Sequence, residues 1–221
     1  MQETIIATSR PRRRQWFIAP LAASAIGATV FGATRASADT PMAVVTLRDA
    51  SGHAVGNVRF YDTGHHTVVR ARLTTNAHVT AEQFHGFHIH TGADVVSGTS
   101  GCIADAAKAS TTWFVSAGGH LKADGQLHSN HTGDLESILV NADGSASSTF
   151  TTDRFMPGEL AGRAIILHAG PDNFGNIPKG TAADQYTPNS PSAITKTDNT
   201  GNAGDRVACG VIHVVDASSD H

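Results

Sequence analysis

The 13 histidines of this chain, all of them after residue 50, are its most chemically capable residues. A neutral imidazole carries protons near pH 7 and is a frequent ligand of transition metals. In Phe84-His85-Gly86-Phe87-His88-Ile89-His90, His88 and His90 stand two apart. On an extended strand that spacing puts both rings on one face, about 7 Å apart at Cα, as a two-point metal platform. His85 belongs to the opposite face, where a hydrogen-bonded structural role is expected. A second group begins with His120 and continues with His128, His131 and Asp134 at three-residue intervals. Three imidazoles and one carboxylate are a donor set that tetrahedral zinc accepts. His168 ends the apolar run Ala164-Ile165-Ile166-Leu167. Each group alone is also compatible with solvent-facing or structural histidines. His53, His65, His66, His78, His213 and His221 are expected to be solvent-facing or structural.

Short strands are the elements expected to bring such scattered groups together. Residues 42–48, 57–61, 67–73, 84–90, 135–141, 145–151, 163–168 and 206–215 alternate or cluster β-forming residues. Turn signals such as Asp62-Thr63-Gly64-His65 and Asn141-Ala142-Asp143-Gly144 separate some of them. No helix longer than two turns is expected. The predicted class is all-β, an antiparallel barrel or sandwich of about eight strands closed on itself to hide its edges. Two long stretches, 91–123 and 169–205, lack strand character, and loops of that length inside one domain are usually functional.

Taken together, these segments resemble the Cu,Zn superoxide dismutases, most closely the exported bacterial members. The resemblance rests on Phe84 to His90, Ser116-Ala117-Gly118-Gly119-His120, His131-Thr132-Gly133-Asp134-Leu135, His168 to Asp172, and Gly201 to Ile212. These occur in family order and span residues 41–215. The resemblance implies a Greek-key β-barrel that disproportionates superoxide at a redox-cycling copper held by His88, His90, His120 and His168. It implies that His120 is shared with zinc and relays a proton, and that His128, His131 and Asp134 complete the zinc set, over a shorter interval than in most of the family. Asp172 would link the copper-side and zinc-side histidines, Cys102 and Cys209 would form the family disulfide, and Arg206 would receive the anionic substrate. The catalytic residues are then Arg206 and His120, the cofactors copper and zinc, and the partner superoxide; the family admits monomers and homodimers. The competing reading is an exported copper-storage protein of the same fold without turnover, which has no use for Arg206 or Asp172 in these places.

Residues 1–38 read as a signal peptide. Arg10, Arg12, Arg13 and Arg14 form a basic start, residues 15–34 are uncharged, and Ala36-Ser37-Ala38 supplies a cleavage pattern. Arg13-Arg14 followed by Trp16-Phe17 loosely resembles a twin-arginine signal. Cleavage after Ala38 leaves residues 39–221 as the dismutase-like barrel domain, exported to the periplasm, cell envelope or medium, with no stable membrane insertion. An even cysteine count in an exported chain favours pairing of Cys102 with Cys209. The whole chain carries −3, and five Arg against one Glu in residues 1–38 leave −7 on the remainder. An acidic body argues against nucleic-acid binding through phosphates. It also means that attraction of an anion must be local, through Arg206 with Lys179 or Lys196.

Overall fold

Alternation of inward and outward side chains, imperfect in residue type, builds the first three strands. In the computed structural model, β1 (Ala43–Arg48), β2 (Ala54–Asp62) and β3 (Thr67–Thr74) turn Val45, Leu47, Val58, Phe60, Val69 and Ala71 inward. Arg48, Arg59, Arg70 and Arg72 point outward. The structure describes residues 40–75, 79–92, 101–174 and 190–215, all within one compact unit, Ser37–His221. The expected leader, residues 1–38, lies outside the described residues, as do His78, Lys179 and His221.

The remaining strands are β4 (Gln83–His85), β5 (Phe87–His90), β6 (Ile138–Val140), β7 (Ser145–Thr152), β8 (Ala164–His168), β9 (Arg206–Val211) and β10 (His213–Val214). One antiparallel sheet runs in the order β5-β8-β9-β1-β2-β3-β7, with β10 paired to β1; β4 and β6 form a separate pair. The all-β expectation holds, and neighbours distant in sequence, such as β3 and β7 or β5 and β8, make the crossovers. Strand β8 is buried along its whole length. Ile165 and Leu167 enter the main core, whereas Ile166 packs with Trp113, Phe114, Ala117 and Cys209 in a second cluster. A strand covered on both faces is expected to be apolar, and β8 is so from Ala164 to Leu167, with the polar His168 at its end.

Three expectations are refined. The run 84–90 breaks at Gly86, whose N–H donates to Gly170 O (2.8 Å) and whose carbonyl accepts from His168 N–H (2.9 Å); a Cβ there would meet Ala203 Cβ at 2.7 Å and Asp172 Oδ1 at 2.9 Å. The run 135–141 keeps strand geometry only at β6, since Leu135 N–H donates to Phe87 O, 3.2 Å, on β5. The expectation of no helix beyond two turns is corrected: α1 (Pro191–Thr200) has 10 residues, close to three turns. Its composition is poor for a helix, but Pro191 stands in its first turn, Gly201 caps its end at φ +59°, and Ala193 and Thr197 are buried. Cys102 and Cys209 are bonded, with Cα atoms 5.5 Å apart.

Candidate metal centre

Strand β5 carries two of the candidate ligands and its backbone recruits three more. Pairing with β8, Phe87 against Leu167 and His90 against Ala164, brings His168 alongside. On its other edge, His90 is bridged to His120 and His88 to Asp134. Ile89 N–H donates to Gly133 O and Leu121 N–H to Ile89 O, both at 2.8 Å. Gly133 has to be glycine, because a Cβ would run into the Ile89 carbonyl.

Hydrogen bonds decide which nitrogen of each ring stays free. His90 Nδ1–H donates to Gly118 O (2.9 Å) and His168 Nδ1–H to Gly204 O (3.0 Å). A carbonyl can only accept, so both rings keep their lone pair on Nε2. His88 is reversed: its Nε2–H donates to the Asp172 carboxylate at 2.9 Å, leaving Nδ1. His88 Nδ1, His90 Nε2, His120 Nε2 and His168 Nε2 are buried without hydrogen-bond partners. Ligand atoms of these four residues lie within 4.8 Å of one another. Several buried, unpartnered imidazole nitrogens facing one point are an unstable arrangement unless a cation completes them. Four neutral imidazoles suit a copper that must be held in two oxidation states.

The other nitrogen of His120 faces a second group. His120 Nδ1 is 2.9 Å from Asp134 Oδ1 and 3.2 Å from His131 Nδ1. His131 Nδ1 is 3.3 Å from Asp134 Oδ1, and His128 Nδ1 is 3.1 Å from Asp134 Oδ2. By mutual proximity of ligand atoms, His88 also falls in with His120, His128 and Asp134. His88 Nε2 is already held by Asp172 and its Nδ1 lies with the first group, while His131 Nδ1 lies against both His120 Nδ1 and Asp134 Oδ1 beside the second. Three imidazoles and a carboxylate fit zinc. Asp172, its side chain wholly buried, joins the two groups: besides its bonds from His88 it lies 3.5 Å from His128 Nε2.

Electrostatics agree with metal-ready ligands. Burial, reinforced by neighbouring imidazoles, holds His88, His90 and His168 well below the ordinary histidine pKa, so they are neutral at pH 7, as a ligand must be. Burial alone would favour protonation of Asp134, but its pairing with His120 and His128 outweighs it and holds the carboxyl far below the usual range. For Asp172 burial prevails over the attraction of the histidines, and its carboxyl is pushed up.

Arg206 stands across from His168 in the pairing of β8 with β9. Its guanidinium donates to Phe114 O and Gly118 O, both at 2.7 Å. Gly118 O is the same acceptor that orients His90. Cys209, three residues on, ties the loop carrying Phe114 and Gly118 to β9 through Cys102. The structure thus brings together every predicted ligand, Asp172 and Arg206. Lys196 is exposed on α1. His85 is fully buried away from the cluster, its nitrogens facing His168 O (2.8 Å) and Thr80 O (2.7 Å). Among the described residues, His53, His65, His66 and His213 join neither group. Sequence reasoning missed the Gly118 carbonyl, Phe174 stacked on the His128 ring at 5.6 Å, and Arg154, whose contacts are with backbone. None of the three has a motif that announces it.

Residues 54–212 match the protein family described as copper/zinc superoxide dismutase. The chain is 38% identical over 189 residues to the Cu-Zn superoxide dismutase of Mycolicibacterium paratuberculosis, covering 81% of this chain and 78% of that protein. It is 40% identical over 175 residues to the Cu-Zn superoxide dismutase of Mycobacterium tuberculosis, covering 76% and 68%. Among solved structures, the clock protein EA4 superposes with a TM-score of 0.55 at 23% identity, over 80% of this chain and 96% of that one, a likeness of fold. Since the matched segment contains both donor groups, the Asp172 link and the arginine beside them, the chain belongs to the copper/zinc superoxide dismutase family.

Proposed function

We propose that the chain disproportionates superoxide, two superoxide anions and two protons giving O2 and H2O2, with His88, His90, His120 and His168 as copper ligands. Bound there, copper would supply a one-electron redox couple. Arg206 receives the anion: it is permanently charged, and its two backbone acceptors fix the plane of its fork beside His90. When not bound by the metal, His120 Nε2 is the nitrogen that would hold a proton and pass it to the departing peroxide, because Nδ1 is engaged by the second donor group. His128, His131 and Asp134 would hold zinc on that side. Asp172 orients His88 and His128 together and raises their basicity.

The observation that carries this reading is the convergence of four buried, unpartnered imidazole nitrogens next to an arginine that shares an acceptor with one of them. The test is superoxide removal by metal-loaded protein. Arg206→Ala is expected to keep its copper and lose about 10- to 1,000-fold in rate, the range that local electrostatic focusing supplies. Full copper loading without turnover in the unaltered protein would point to storage instead.

The same reading places the mature domain outside the cytoplasm, after removal of residues 1–38. The Cys102–Cys209 bond supports it, since such bonds persist in oxidising compartments. Mass spectrometry of exported protein is expected to find Asp39 at the N-terminus, and a chain still carrying Phe17 to Phe31 would overturn it.

A further inference from the structure

Strand β5 accounts for the placement of His88, His90, His120, His168 and Asp134, but not of His128 and His131. These two sit in the loop between Leu121 and Gly133, which is outside any strand or helix. His128 N–H is held by Asp198 O at 2.8 Å. Within the loop, Gln126 Oε1 accepts from Thr132 N–H and Thr132 Oγ1–H, both at 3.1 Å, and Gly133 N–H donates to Leu121 O at 2.7 Å. A further set of ties, from outside the loop, comes from Arg154, two residues beyond the end of β7. Its Nη1 donates to His131 O (3.0 Å) and Asp134 O (3.1 Å), and its Nη2 donates to Ser129 O (3.1 Å). One guanidinium thus gathers three carbonyls of the six-residue stretch 129–134. Within that stretch, His131 N–H donates to Asp134 Oδ2 at 3.0 Å, so ligand side chains face inward from the turn that Arg154 grips from outside. Among the described residues Arg154 makes no ion pair, and its guanidinium donates to backbone carbonyls alone. A rigid planar fork can serve several acceptors at once, which a lysine ammonium on a flexible stem does less well.

We propose that Arg154 is a positioning residue for the second metal: it holds residues 129–134 in the conformation in which His131 and Asp134 meet His120. The inference rests on the reading that His120, His128, His131 and Asp134 hold zinc. Gln126 and backbone turns tie the loop to itself, and a clamp from another element removes further freedom that metal binding would otherwise have to restrict.

The experiment compares the metal-free unaltered protein with Arg154→Ala and Arg154→Lys. Zinc affinity is measured by competition with a chromophoric chelator, cobalt(II) absorption reports the geometry of the zinc site, and copper affinity and the unfolding temperature of metal-free protein serve as controls. Arg154→Ala is expected to lose about 10- to 100-fold in zinc affinity, as loss of an outer hydrogen bond to a ligand set typically does. Its cobalt bands should shift and weaken, with copper affinity unchanged and Arg154→Lys recovering part of the loss. Zinc affinity and a cobalt spectrum indistinguishable from the unaltered protein would overturn the proposal. So would a parallel fall in copper affinity and unfolding temperature that lysine does not relieve, which marks a general structural role. If the unaltered protein takes up neither zinc nor cobalt, the zinc reading itself fails, an outcome distinct from both.

Discussion

Each imidazole of the centre has its chemistry set by the atom on its far side. Carbonyls behind His90 and His168 and a carboxylate behind His88 take the proton-bearing nitrogen, so the inward nitrogen is left as a bare donor. Burial that keeps these rings neutral has a consequence for stability. An unfolded histidine takes up a proton as pH falls through about 6.5, whereas the folded rings resist until well below that. The unfolded state therefore binds more protons in that window, and stability falls with pH from about 6.5 downward. Asp134, with its lowered carboxyl pKa, adds a further loss below 3.8, and Asp172, with its raised one, acts in the opposite sense. The unfolding temperature of metal-free protein is expected to drop between about pH 7.5 and pH 5, and to drop less when metals occupy the nitrogens. A temperature independent of pH across that range would contradict the buried-neutral assignment.

At the scale of elements, the end of α1 is packed against the link between the two donor groups. Gly201 caps the helix with φ +59°, and a Cβ there would stand 2.5 Å from both Asp172 Oδ1 and His128 Nε2. Gly201→Ala is expected to destabilise the protein by about 1–3 kcal/mol through overpacking and to weaken zinc binding, as calorimetry and metal analysis would show. Unchanged melting and full zinc content would mean that the helix end does not hold the link. The disulfide acts on another element. It closes a separation of 107 residues, about 4–5 kcal/mol in the chain-entropy picture, and anchors the loop whose carbonyls aim Arg206.

For the whole molecule the question is how an acidic body attracts an anion. With −7 on residues 39–221, the long-range field is repulsive, and attraction has to come from Arg206 close to the ligands. Local attraction is screened by salt. The rate constant for superoxide removal is expected to fall as ionic strength rises from about 0.01 to 0.5 M, because the Debye length shrinks across that range. Arg206→Ala should flatten or reverse that slope. A rate rising with salt in the unaltered protein would show that repulsion from the body dominates. Among the described residues no helix is long and apolar enough to cross a membrane.

The amino-acid order by itself determined the all-β class, the strand faces and the types of donor. These depend on local alternation and on residue chemistry, which a linear reading preserves. It also showed His88 and His90 as a pair, because a two-residue period is a property of one strand. It did not show α1: threonine, asparagine and aspartate are weak helix formers, and the helix exists because Ala193 and Thr197 find a buried surface. Nor could it show that Gly118 O orients both His90 and Arg206, or that Arg154 grips the loop at 129–134. Those contacts join a side chain to a backbone carbonyl far away in the chain. Every residue carries such a carbonyl, so nothing in the letters marks which one is used, and only the folded path of the backbone selects it.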